Sequence, residues 1–132
     1  MEVTVTQEQA RIPITVIRLS GDLNVTTYEV LQQQAREAHE AGARDMVIDL
    51  AGVDYISSAG IRAISSVFRM LRGRSPQESP EAMQKGLKDG TFKSPHLKLS
   101  GPAGSVAEVI KLAGVDMFLE IYPDVAAALA SY

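Results

Sequence analysis

Met46-Val47-Ile48-Asp49-Leu50 is apolar at every position but Asp49, on both faces of an extended chain. A strand of that kind belongs inside a sheet covered on both sides, which points to parallel α/β architecture. Helical patterns flank it. Thr26 with Glu29 predicts a capping box, and Leu31, Ala35 and Ala38 at i, i+4 and i+7 predict a helix that Gly42 ends. After a predicted loop over 51–58, a second helix is expected from Ala59 to about Arg72. Its buried face is Ile61, Ile64, Phe68 and Leu71, and Arg62, Arg69, Arg72 and Arg74 are left to the solvent side or the C-terminal end.

The remaining segments follow the same alternation. Val3 and Val5 predict a short strand, and Gln7 to Arg11 a turn. Ile12, Ile14 and Val16 lie on one side of a second strand that continues through Ile17 and Leu19; Pro13 puts an irregular start or an edge there. Ser20-Gly21-Asp22-Leu23-Asn24 breaks that strand's pattern. Leu97 and Leu99, alternating with Lys98 and Ser100, predict another strand. Val106, Val109, Ile110 and Ala113 predict a helix ended by Gly114, followed by a strand over 118–122 and an alanine-rich helix over 123–130. The prolines and glycines between Gly73 and Pro95 mark a polar excursion at about 74–95, in which Ser79-Pro80-Glu81 opens one short helix to about Lys88. The expected fold is α/β, a mostly parallel mixed sheet of about five strands with roughly four or five helices. The opening pair adds an antiparallel edge, and residues 1–132 form a single domain.

Composition narrows the function. Apolar residues make up 45% of the chain, enough for a core, and net charge is only −3 with both signs mixed, which offers no nucleic-acid surface. The absence of cysteine excludes a disulfide framework, a thiolate metal site and a cysteine nucleophile. No apolar run approaches the ~20 residues that span a bilayer. Met1 to Val5 lacks the character of a signal peptide, so a cytoplasmic location is expected.

Catalytic patterns are equally sparse. His39 and His96 share no ligand spacing, and no Gly-x-Ser-x-Gly elbow occurs. Gly101-Pro102-Ala103-Gly104-Ser105 lacks the lysine of a P-loop and reads as a turn and cap. Asp22, Asp49 and Asp54 could cluster near Ser58 around Mg²⁺, but carboxylates in such segments ordinarily serve turns. No catalytic residue, cofactor or metal is expected. The informative feature is Ser57-Ser58, two hydroxyls where a helix begins. One of them is ordinarily the N-cap. With Ser57 in that role Ser58 is free, and the positive end of the helix tolerates a phosphate there. Gly60 permits close approach of helix and sheet.

The run from Val47 to Arg62, with Leu19-Ser20-Gly21-Asp22-Leu23-Asn24 upstream, resembles the STAS domain (sulfate transporter and anti-sigma factor antagonist). It is most similar to the free-standing bacterial anti-sigma factor antagonists, and the stretch from Val106 to Val115 resembles that family's C-terminal part. The resemblance implies a STAS-like fold and a partner switch. The unmodified domain binds a serine kinase that is also an anti-sigma factor; the kinase phosphorylates one serine with ATP, and a serine phosphatase reverses the step. The matching serine is Ser58, and the implied partner face comprises Asp22, Asn24, Ser57, Ser58, Ala59, Gly60, Ile61 and Arg62. Ser57 and Asn24 stand where many phosphorylated members carry aspartate, which removes negative charge near Ser58. Two other functions fit the sequence less closely. One is a STAS interaction or scaffold subunit without phosphorylation, for example of a signalling or lipid-transport assembly. The other is an enzyme or nucleotide-binding protein using the Ser58 helix end, for which no base is tied by sequence to Ser58.

Overall fold

The computed structural model describes residues 1–71 and 93–132. In chain order the elements are β1 (Glu2–Gln9), β2 (Pro13–Leu23), α1 (Tyr28–Glu40), β3 (Met46–Ile56), α2 (Ser58–Leu71), β4 (Leu97–Ser100), α3 (Gly104–Leu112), a 3₁₀ turn (Val115–Met117), β5 (Glu120–Tyr122) and α4 (Val125–Ala130). The strands lie across one sheet in the order β1-β2-β3-β4-β5; β1 and β2 pair antiparallel, and the other neighbours are parallel. The α/β class, the mixed sheet and the antiparallel opening pair are those read from the sequence. The expected helix from Ser79 and most of the excursion at about 74–95 lie outside the described residues. Among the described residues no helix is long and apolar enough to cross a membrane.

Because the strand order never reverses, crossovers of one hand lay α1, α2 and α3 on the same face. The main core sits there: Ile17, Leu19, Met46, Ile48, Leu50, Leu97 and Leu99 of the sheet against Leu31 and Ala35 of α1, Ala63, Ile64, Val67, Phe68 and Leu71 of α2, and Val106 and Ile110 of α3. On the opposite face Ile14, Val16 and Val47 meet Ala128 of α4. The central strands are thus buried on both sides, as Met46 to Leu50 required.

Several boundaries differ from the sequence reading. β1 runs to Gln9 through the expected turn, since Gln9 pairs with Pro13 and the Thr15 hydroxyl donates to the Gln7 side chain at 3.1 Å. The capping box is not formed. Asn24 Oδ1 accepts from both the Thr26 amide (2.9 Å) and the Thr26 hydroxyl (2.7 Å), so the helix opens after Thr27 instead. α4 starts two residues later than expected, because the Asp124 carboxylate caps it by accepting from the Ala127 amide at 2.8 Å. The 3₁₀ turn shortens β5 to Glu120–Tyr122.

The largest correction joins the two segments read as breaks. Ser20 to Leu23 and Gly52 to Ile56 are strand, paired with each other as extensions of β2 and β3. Two register shifts accompany the pairing, between Arg18 and Ser20 and between Gly21 and Asp22, and at each β3 carries one more residue than β2. Bulges of this kind bend a ribbon and re-aim its end. Gly21 takes φ +104°, a conformation side chains disfavour, at one of those shifts.

Candidate functional site

The end of this ribbon positions the start of α2. The Ser57 amide donates to the Leu23 carbonyl at 2.9 Å, tying the tip of β2 to the residue before the helix. Ser57 is the cap: its Oγ accepts from the Gly60 amide at 3.4 Å and its carbonyl accepts from the Ile61 amide at 3.0 Å. Ser58 is left exposed as the first residue of α2. No acidic side chain occupies the first turn of α2, so nothing on the helix itself neutralises the positive end of its dipole.

Gly60 makes the close approach possible. A Cβ at this position would lie 2.7 Å from the Leu23 carbonyl oxygen, 2.8 Å from Ile56 Cγ1 and 2.9 Å from Leu23 Cγ. The helix start therefore rests directly on the ribbon, and any larger residue must push it away.

The expected partner-face residues divide by burial. Asp22, Ser58 and Arg62 are exposed, while Asn24, Ser57 and Ile61 are partly buried. Ala59 and Gly60 are buried. These last two are turned inward and support the surface around Ser58 from beneath. Asn24 is committed to its own turn, with the Thr27 hydroxyl accepting from the Asn24 amide at 2.9 Å and donating to the Asp22 carbonyl at 2.7 Å. The suggested acidic cluster is not formed around Ser58. Asp49 Oδ1 accepts from the Ser100 hydroxyl at 3.2 Å and the Ala51 amide at 3.1 Å, and Oδ2 lies 3.8 Å from Arg18. Among the described residues, no three histidine or carboxylate side chains converge as metal ligands would. His96 pairs through Nδ1 with Asp45 at 3.0 Å, near the opposite ends of the strands.

Two exposed apolar residues escaped the sequence reading. Tyr55, paired in register with Asp22, is 55% exposed, and Val25, just past the tip of β2, is 71% exposed. Strict alternation would turn Tyr55 inward with Val53; the register shift between Gly21 and Asp22 instead leaves Val53 and Ile56 buried and Tyr55 exposed, and nothing in the local sequence announces that shift. Together Asp22, Val25, Tyr55, Ser58 and Arg62 give this end of the molecule apolar anchors beside a hydroxyl and two opposite charges. That composition suits a protein partner.

Comparison with known proteins places the chain. The STAS domain model matches residues 4–76, more than half of the sequence. The chain belongs to the STAS family. BtrV of Bordetella bronchiseptica, assigned by name to the anti-sigma factor antagonists, is 39% identical over 54 residues, which is 41% of this chain and 47% of BtrV. The chain thus matches about half the length of that relative. An anti-sigma factor antagonist from Mycobacterium paratuberculosis shares the fold with a TM-score of 0.70 at 18% identity, covering 98% of this chain and 93% of that one. The Bacillus cell-fate determinant SpoIIAA in its phosphorylated form superposes with a TM-score of 0.62 at 14% identity, covering 99% and 100%.

Proposed function

We propose that this STAS domain is an anti-sigma factor antagonist that docks an anti-sigma factor with serine kinase activity through the face around Ser58, and that phosphorylation of Ser58 releases it. The observation that carries the reading is the division of labour between two adjacent hydroxyls: Ser57 caps the helix and Ser58 stands exposed beside it. A kinase can reach the second without disturbing the first. The relationship to BtrV supports the same reading.

Both departures from the family pattern keep the chemistry that the local structure needs. Ser57 and Asn24 each use a side-chain oxygen as an acceptor, Ser57 toward the Gly60 amide and Asn24 toward Thr26. An aspartate would accept the same bonds with added charge. Their effect is to leave the unmodified face less negative, so the phosphate supplies a larger relative change. A near-dianion in a docked surface must be desolvated and repels acidic partner groups. A penalty of about 3 kcal/mol weakens binding roughly a hundredfold, which is enough to exchange partners.

The test is to incubate the purified domain with ATP and the anti-sigma kinase encoded in the same genome, and to map phosphate by mass spectrometry. One phosphate on Ser58, abolished in Ser58→Ala, is expected, and Ser58→Asp should weaken binding at least tenfold. Kinase binding that Ser58→Asp leaves unchanged, with no phosphate on Ser58, would overturn the proposal in favour of an unphosphorylated scaffold role.

A further inference from the structure

The same helix holds a second charged group whose placement bears on the modified state. Arg62 lies four residues after Ser58, one turn along the same side of α2, where side chains meet. Both residues are exposed. Among the described residues, Arg62 forms no ion pair and no side-chain hydrogen bond. The next arginine of the helix, Arg69, lies about two turns further on. Arg18 is already engaged by Asp49 at 3.8 Å and by the Thr6 hydroxyl at 3.0 Å.

Exposed carboxylates lie on the segments that lead to this helix. Asp22 stands next to Leu23, whose carbonyl receives the Ser57 amide, and Asp54 precedes Tyr55 on the paired strand; both carboxylates are exposed. Glu29 lies in the first turn of α1. Within one turn of the helix, Arg62 is the cation available to a dianion added at Ser58.

Resting on the reading above, we propose that Arg62 is the built-in counter-ion for a phosphate on Ser58, holding it against its own helix through a charge-assisted, fork-shaped pair. The modification then changes the docking face twice. It adds an anion, and it withdraws from any acidic partner the cation that Arg62 offers in the unmodified state. Arg62 is a positioning residue in this scheme and takes no part in phosphoryl transfer.

The proposal can be tested without a kinase, by installing phosphoserine at position 58 of the full chain during synthesis and following the phosphate by ³¹P NMR titration. In low salt, Arg62→Gln should raise the second pKa of the phosphate by roughly half a unit, with Arg62→Lys in between and the differences largely lost at 1 M salt. The melting-temperature difference between phosphorylated and unmodified protein should also become more unfavourable in Arg62→Gln than in the wild type. Coincident titration curves and equal melting differences for wild type and Arg62→Gln would overturn the proposal. Since no kinase enters, this result is separable from the mapping experiment, which alone decides whether Ser58 is a natural acceptor.

Discussion

At the scale of single residues, the glycines show that one residue type serves opposite ends. Gly60 sits where a Cβ would meet backbone oxygen at 2.7 Å, and the obstacle cannot rotate away. Gly60→Ala should therefore cost about 1–3 kcal/mol, read as a lower midpoint in thermal unfolding. Gly104, the first residue of α3, has open space around the same position and no positive φ. Gly104→Ala should stabilise the domain by about 0.4–1 kcal/mol, because the unfolded chain loses freedom and the folded one loses nothing. The serines divide in the same way. Ser57→Ala removes the cap of α2 and should cost about 0.5–1 kcal/mol, whereas Ser58→Ala should melt within the error of the wild type. A large loss in the second variant would mean that Ser58 supports the fold rather than standing free.

At the scale of elements, α1 is launched by a knot of short side chains. Asn24 Oδ1 gathers the Thr26 amide and hydroxyl, and the Thr27 hydroxyl bridges the Asn24 amide and the Asp22 carbonyl. The acceptor at Asn24 matters more than its charge. Asn24→Ala should lower stability by about 1–2 kcal/mol, seen as a shifted urea midpoint at constant slope, while Asn24→Asp keeps the bonds and stays near the wild type. This knot hid the true helix start. Thr26 and Glu29 have the spacing of a capping box, but the hydroxyl that would cap is drawn back into the preceding turn. The β2 and β3 extensions were hidden for a related reason. Gly21 and Gly52 each look like the end of a strand in isolation, and they are tolerated because the two segments supply each other's hydrogen-bond partners.

Across the whole molecule, the last residues close the end of the sheet opposite Ser58. The Tyr132 hydroxyl lies 2.7 Å from the Met46 carbonyl oxygen and 2.9 Å from that of His96, joining the starts of β3 and β4. Lys98, only 5% exposed, donates to the Ser131 hydroxyl at 2.8 Å, lies 3.8 Å from Glu120, and has its ammonium 4.3 Å from the centre of the Tyr132 ring. Burial first, then the charges of Asp45 and Glu120, hold the Tyr132 phenol above its ordinary value of 10.0. The folded state thus keeps a proton that the unfolded state gives up, so this contribution is present in full below pH 10 and is lost as pH rises beyond it. Tyr132→Phe should cost about 1–2 kcal/mol at neutral pH and should flatten the loss of stability above pH 10, measured by urea unfolding across that range.

By itself the sequence determined the class of fold, the order of strands and helices, the strand buried on both faces, and the hydroxyl pair at the head of α2. All of these are written in periodicities and caps that span a few neighbouring residues. Tertiary structure alone decided which serine caps and which stands free, that Ala59 and Gly60 face inward, that Tyr55 and Val25 are exposed, and that Lys98 is buried though it alternates like a surface residue. Each of those outcomes depends on a partner distant in the chain, Leu23 for Ser57 and Ser131 for Lys98, and a local pattern carries no record of the group it will meet.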